Sequence, residues 1–289
     1  MGRNIREYHW IDGKSLVVGK KTLVMGILNF TSDSFSDGGC WNTVEKALNH
    51  AREMIADGAD IIDLGVESSR PGFTPVPASE EIGRLSHILK PLLKMSSVPV
   101  SVDTFKAETA AYALRAGAHI INDIWGLQYA DEPGRMAEAI APYTAPVIVM
   151  HNQKSTNYTS MIDEMKGFFS VSARIAADAG INERRLIMDP GIGFGKTARQ
   201  NIYVLRHLHE LTMLPYPVLL GASRKSFIGR ILKKDVTDRL EETCAVCVAG
   251  ALAGCDIVRV HDVRPVVRMC RMADVLSGKN PLQEPLDDD

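Results

Sequence analysis

An excess of charge of either sign is missing from this sequence. Its 33 lysines and arginines face 35 aspartates and glutamates, leaving a net charge of -2. No global positive field exists to hold nucleic acid or an anionic membrane, although a local basic pocket is still allowed. Long apolar runs are missing too. The longest, Cys244 to Cys255, falls short of the ~18 residues that a membrane-spanning helix needs. The opening segment MGRNIREYHW lacks the apolar stretch of a secretory peptide. Cysteine is scarce and odd in number: Cys40, Cys244, Cys247, Cys255 and Cys270. That count implies no disulfide framework and fits a reducing cytoplasm. Cys244-Ala-Val-Cys247 has no second pair and lies in an apolar, helix-like run, so both thiols are expected to be small buried residues. No HExxH motif or histidine cluster supplies a dedicated metal site. A metal here is expected to be Mg2+ shared with substrate phosphates.

What is present is the balance of an ordinary globule. The 289 residues are 45% hydrophobic and 24% charged, enough to bury a sizeable core. Eight short runs rich in Val and Ile recur along the chain: 22–30, 60–66, 98–104, 119–125, 146–151, 185–191, 217–223 and 256–263. Each is bounded by Gly, Pro or polar residues, as doubly buried parallel strands are. Between them apolar residues recur near every 3.6 positions, as over 44–59 and 172–181, with helix stops expected at Gly58, Gly117, Gly180 and Gly254. Eight strands alternating with helices in a chain of this length predict an α/β fold, a (β/α)8 TIM barrel. The expected organisation is a single domain over 1–289. Its core runs from about 22 to 276, between a short polar N-terminal extension and an acidic tail, PLQEPLDDD.

Polar residues gather at the C-terminal ends of the strands: Asn29, Asp63, Asp103, Asn122, His151, Asp189, Ser223, Arg259 and His261. That is the face on which barrel enzymes build their sites. Arg259 and His261 alternate onto one side of the last strand, where a guanidinium and an imidazole suit a phosphate or diphosphate. Pairing of Arg259 with a core carboxylate is the competing reading. Ser223-Arg-Lys-Ser226 places two cations and two hydroxyls at a helix start, the makings of an anion site. Asp103, Asn122 and Asp189 end three different strands and can read the N–H edge of a heterocycle, unless they pair with cations of the same mouth. Gly191-Ile-Gly-Phe-Gly-Lys-Thr197 has the look of a phosphate loop but not its spacing, since Pro190 stands where a P-loop requires glycine. It remains a glycine-rich loop that lets backbone approach a ligand.

Five separated motifs, in order, carry a resemblance. They are Gly26-Ile-Leu-Asn-Phe-Thr-Ser-Asp-Ser-Phe-Ser-Asp-Gly39, Glu67-Ser-Ser-Arg-Pro-Gly72, Ser101-Val-Asp-Thr104, Asp189-Pro-Gly-Ile-Gly-Phe-Gly-Lys196 and Ser223-Arg-Lys-Ser-Phe-Ile-Gly229. With Asn122-Asp123 and Arg259-Val-His261, the chain resembles the dihydropteroate synthases from about Thr22 to Leu276. The resemblance implies condensation of 6-hydroxymethyl-7,8-dihydropterin diphosphate with 4-aminobenzoate to 7,8-dihydropteroate and diphosphate, in folate biosynthesis. It also implies dissociative loss of the diphosphate, dependence on Mg2+, a cytoplasmic homodimer and a target of sulfonamides. By position, Asp103, Asn122, Met150, Asp189, Phe194, Lys225 and Arg259 would hold the pterin. Asn29, Ser69, Arg70, Arg259 and His261 would hold the diphosphate, with Asn29 also on the metal. Phe35, Ser69, Lys225 and Ser226 would receive the aminobenzoate. Asp37 joins Lys225, Arg259 and Asp103 among the catalytic groups. The sequence departs from the family's pattern at Phe30, Ser32, Val66 and Ser69, in the first two loops. Two alternatives are a catalytically silent pterin-binding paralogue and a methyltetrahydrofolate–corrinoid methyltransferase. The latter would need no diphosphate site.

Overall fold

The structure is a computed structural model that describes residues 5–30, 40–67 and 74–279, without the side chains of 40–42. The chain opens with a hairpin, β1 (Arg6–His9) paired antiparallel with β2 (Ser15–Val18). Eight parallel strands follow: β3 (Leu23–Asn29), β4 (Ile61–Gly65), β5 (Val100–Asp103), β6 (Ile120–Asp123), β7 (Val147–Met150), β8 (Leu186–Asp189), β9 (Leu219–Leu220) and β10 (Ile257–Val260). Their order, β8-β7-β6-β5-β4-β3-β10-β9, is that of a rolled sheet, and a parallel bridge from Met188 to Val218 joins its two ends. The predicted (β/α)8 barrel is therefore present, and every predicted run contains its strand. All four expected glycine stops take positive φ. At Gly117, φ of 105° turns the chain out of its helix and into β6, a conformation that a side chain would disfavour.

Side chains on alternate strand positions point inward, and this sets up two layers. The lower one is apolar: Met25, Ile61, Ile120, Ile148, Ile187, Leu219 and Ile257, all 0% exposed. Two residues further along the same strands stand Ile27, Asp63, Asn122, Met150, Asp189, Gly221 and Arg259. The barrel thus changes from oily floor to polar mouth within about 7 Å of strand rise. The outward faces of the strands, among them Ile62, Leu64, Val102, Ile121 and Val149, pack on the surrounding helices.

The polar N-terminal extension has a structural role that the sequence reading did not foresee. Its hairpin closes the bottom of the barrel. Tyr8, Leu16 and Val18 join the apolar floor, and the Arg6 guanidinium donates to the carbonyls of Glu183, Leu186 and Pro215 at 3.1, 3.0 and 2.5 Å. Trp10 donates from Nε1 to the His119 carbonyl at 3.0 Å, and Asp12 pairs with His119 Nε2 at 3.0 Å. Cys244 and Cys247 lie buried on their helix as expected. Among the described residues no group of His, Cys, Asp and Glu is arranged to hold a metal.

Candidate active site

The centre of the mouth is one charged cluster. Arg259 donates from Nε to Asp63 Oδ2 at 2.6 Å and from an Nη to Asp103 Oδ2 at 2.8 Å. Asn122 Nδ2 donates to the same Asp63 oxygen at 3.1 Å. The competing reading of Arg259, a buried cation on core carboxylates, is thus realised within the candidate site itself. Burial works against charge on Arg259, but Asp63 and Asp103 more than offset it and raise its pKa. Burial raises the Asp103 pKa, against the pull of Arg259 and with the support of the Asp63 charge. Asp189 is raised for the same first reason, burial, although Gly191 N–H donates to its Oδ1 at 2.7 Å. Asp189 Oδ2 lies 3.5 Å from where a Cβ on Gly221 would stand, so the bare β9 position leaves room beside it.

An apolar wall rises next to this cluster. Met150 and Phe194 are buried together with Phe105 and Ile124, flanked by Trp125 and Tyr129. Lys225 places Nζ 4.4 Å from the Phe194 ring centre, and its charge acts on both Asp103 and Asp189. The glycine-rich loop that carries Phe194 is tied from beneath. Buried Lys196 donates to the carbonyls of Gly191 and Phe194, each at 3.0 Å, and sits 2.9 Å from His151 Nδ1. Burial and its cationic neighbour lower Lys196 to about 7 and His151 to about 3. A side chain at Gly191 is excluded, because its Cβ would fall 1.9 Å from the His151 carbonyl oxygen. His151, unlike Met150 before it, faces the outer aromatic layer of Tyr158, Phe168 and Phe169 and is not part of the mouth.

The side chains of the stretch from Ser223 to Ser226 turn to different partners. Arg224, with φ of 53°, is spent on Asp262 through two bonds of 2.9 and 2.6 Å. Ser223 Oγ lies 3.0 Å from His261 Nδ1 and accepts from His261 N–H at 3.2 Å, fixing that imidazole. Ser226 opens the short helix Ser226–Leu232. With Phe194, Trp125, Lys154 and Arg230 it lines a cavity of about 480 Å³. Asn29 ends β3, exposed. A Cβ on Gly65 would lie 3.7 Å from its Oδ1 and 3.9 Å from Asp103 Oδ2, so both oxygens converge above a bare glycine.

Phe35, Asp37, Ser69 and Arg70 lie outside the described residues, as does Ser32. Glu67 and Val76, on either side of the undescribed residues 68–73, are described. Glu67 Oε1 accepts from Val76 N–H at 2.6 Å, while its other oxygen pairs with buried Lys106, which also meets Glu81 at 3.1 Å. Phe30 and Val66, two departures from the family pattern, are each 1% exposed within the outer core. Asp63 is the residue that the sequence reading left without a role; its position two residues past Ile61 on an inward face was the available signal.

With this geometry in hand, comparison with known proteins is specific. The model of the "Pterin binding enzyme" family matches residues 25–261. A Bacillus subtilis dihydropteroate synthase is 48% identical over 260 residues, 90% of each chain. A dihydropteroate synthase from Clostridium difficile, solved in the presence of pteroic acid, superposes with a TM-score of 0.85 at 47% identity. That match covers 90% of this chain and 98% of the other. The Xanthomonas albilineans enzyme, solved with 4-aminobenzoic acid, gives a TM-score of 0.85 at 38% identity, covering 92% and 96%.

Proposed function

Because the chain belongs to the pterin-binding enzymes as a dihydropteroate synthase, we propose a division of labour for its own residues in that reaction. The enzyme joins 6-hydroxymethyl-7,8-dihydropterin diphosphate to 4-aminobenzoate and releases diphosphate, a step of folate biosynthesis. Its relatives favour neither the silent paralogue nor the corrinoid methyltransferase. The observation that carries the division of labour is the bonded cluster of Asp63, Asp103, Asn122 and Arg259, with Asp189 within electrostatic reach of Arg259.

The pterin ring lies against Met150 and Phe194, with its N–H edge toward Asp103, Asp189 and the amide oxygen of Asn122. Lys225 donates to the ring's acceptor side. Arg259 spends one Nε and one Nη hydrogen on the two carboxylates, and its other three N–H groups are available to phosphate oxygens. His261, held by Ser223, donates from Nε2 when Nδ1 accepts from the serine hydroxyl. The exocyclic C–O bond breaks and its electron pair leaves with the diphosphate. The carboxylates around the ring then stabilise the cation left behind. The amine of aminobenzoate attacks that carbon, the C–N bond forms, and the proton lost from nitrogen passes to the departing diphosphate. Ser226, with Phe194 and Lys225 beside it, receives the aminobenzoate carboxylate, and Phe35, Asp37, Ser69 and Arg70 close over the diphosphate.

Mg2+ fits this site as a metal held mainly by substrate. The described residues offer no cage of carboxylates, while Asn29 offers one neutral oxygen at the mouth. When bound, Mg2+ neutralises charge on the leaving diphosphate. A homodimer is supported by the exposed apolar side chains of Leu252, Met269, Met272 and Leu276 on two mutually packed helices. A cytoplasmic site of action fits the four buried thiols. Binding is ordered, pterin diphosphate first, because loops carry part of the aminobenzoate pocket and need diphosphate to close. Aminobenzoate titrated with and without pterin, pyrophosphate and Mg2+ tests this order. Binding is expected only with all three, and tight binding to the bare protein refutes it.

A further inference from the structure

Asp63 stands beneath the residues assigned above to the pterin and the diphosphate. It is the middle residue of β4, at the centre of the barrel, 0% exposed. One oxygen, Oδ2, accepts from both Arg259 Nε and Asn122 Nδ2, at 2.6 and 3.1 Å. The other, Oδ1, is buried and has no partner among the described residues. A fully buried carboxylate is retained at considerable cost in desolvation, so its two bonds call for an explanation beyond packing.

We infer that Asp63 is the positioning residue of the site, fixing the orientation of the Asn122 amide and the plane of the Arg259 guanidinium through one shared oxygen.

The chemistry of the two bonds makes the inference specific. An amide can sit in either of two flips that differ only in which end donates. An ionised carboxylate only accepts, so Asp63 draws Nδ2 toward itself and leaves the Asn122 oxygen facing the mouth. In that flip Asn122 accepts from a ligand N–H; in the other it would meet that N–H with its own. Asp63 therefore decides, without touching the ligand, that this wall of the pocket consists of acceptors. Asp103 and Asp189 contribute acceptors to the same ring, so one reversed amide would break a consistent pattern. The bond to Arg259 acts likewise. Held at Nε, the guanidinium keeps its Nη edge toward the mouth and engages phosphate without leaving its tether.

The inference rests on the pterin diphosphate reading, and its test separates the two. Affinity for the unphosphorylated pterin alcohol is measured by calorimetry in wild type, Asp63→Leu, Asn122→Ala and the double variant, with circular dichroism as the fold check. Asp63→Leu removes both acceptor oxygens at similar volume and should weaken the pterin roughly tenfold. In the Asn122→Ala background the same change should cost less than about twofold, because the amide it orients is gone. Asp63→Asn keeps one acceptor oxygen and should stay within about threefold of wild type. Equal losses in both backgrounds, or no rescue by asparagine, would overturn the inference and leave the pterin reading intact. Absence of any pterin binding by wild type would remove both.

A second measurement needs no variant. The Arg259 Nε–H resonance of the wild-type protein is followed by NMR while inorganic pyrophosphate is added. It should remain protected from exchange throughout. Loss of protection on binding would show that Arg259 abandons Asp63 for the anion and would overturn the tether.

Discussion

Replacing Arg259 by methionine should unsettle the fold before it unsettles catalysis. The change keeps an apolar stem and deletes a cation that two carboxylates share, Asp63 and Asp103, whose side chains are 0% and 8% exposed. Removing one member of a buried ion pair leaves uncompensated charge and typically costs about 3–5 kcal/mol. Spread over the average unfolding entropy per residue for a chain of 289, that is a fall of about 5–8 °C in Tm. The cost should depend on pH in a defined direction. Arg259 holds the Asp103 pKa down against burial, so the variant raises it further. A carboxyl with a raised folded pKa takes up its proton before the unfolded chain does. The native state is therefore relieved as pH falls from neutral toward the ordinary Asp range, near 3.8. Urea denaturation at pH 8 should give the full loss, and at pH 5 about half of it or less. A loss below about 1 kcal/mol, or one equal at both pH values, would refute the reading of Arg259 as the counter-charge of the mouth. Beyond stability, affinity for pyrophosphate should fall about ten- to a hundredfold, as for a lost charge-assisted contact.

Lys225→Met should cut turnover by at least about a hundredfold while circular dichroism keeps the wild-type fold, since it deletes a charge that acts on Asp103 and Asp189 and a cation beside the Phe194 ring but keeps the apolar stem. Near-normal turnover, or a collapsed fold, would end its assignment as a catalytic cation. His151→Asn should flatten the acid limb of stability. Burial and Lys196 hold the imidazole at about 3 against 6.5 for the ordinary group, so the unfolded chain binds its proton first and stability falls as pH drops through that interval, by at most about 1.4 kcal/mol per pH unit. An acid slope of Tm unchanged in the variant would show that this histidine is not its source.

The architecture was legible because most barrel strands announce themselves as β-branched runs with a polar residue in or just beyond their C-terminal half. Ile61-Ile-Asp63, Ile120-Ile-Asn122 and Ile187-Met-Asp189 repeat one device, an inward apolar residue followed two positions later by an inward polar one. What could not be read was pairing. Asp63 looks like Asp103 in sequence, and only the sheet order, which sets β4 and β10 on either side of β3, gives it Arg259. Arg224 and Lys225 are likewise adjacent cations in the sequence. The left-handed φ at Arg224 sends one to Asp262, while the other meets Phe194. The N-terminal hairpin was hidden by composition. Its four-residue strands bury only alternate positions, and Arg6 finds its partners in carbonyls about 180 residues away, a long-range contact that no local pattern carries.

The most direct test is a product balance. The purified protein is incubated with 6-hydroxymethyl-7,8-dihydropterin diphosphate, 4-aminobenzoate and Mg2+, and dihydropteroate and diphosphate are quantified together. The account predicts both products in equal amounts, and, when aminobenzoate is withheld, no dihydropteroate and no turnover of diphosphate beyond the first bound substrate of each site. Continued release of diphosphate without dihydropteroate would contradict a site that excludes water, and no product at all would contradict the assignment of this mouth as a synthase active site.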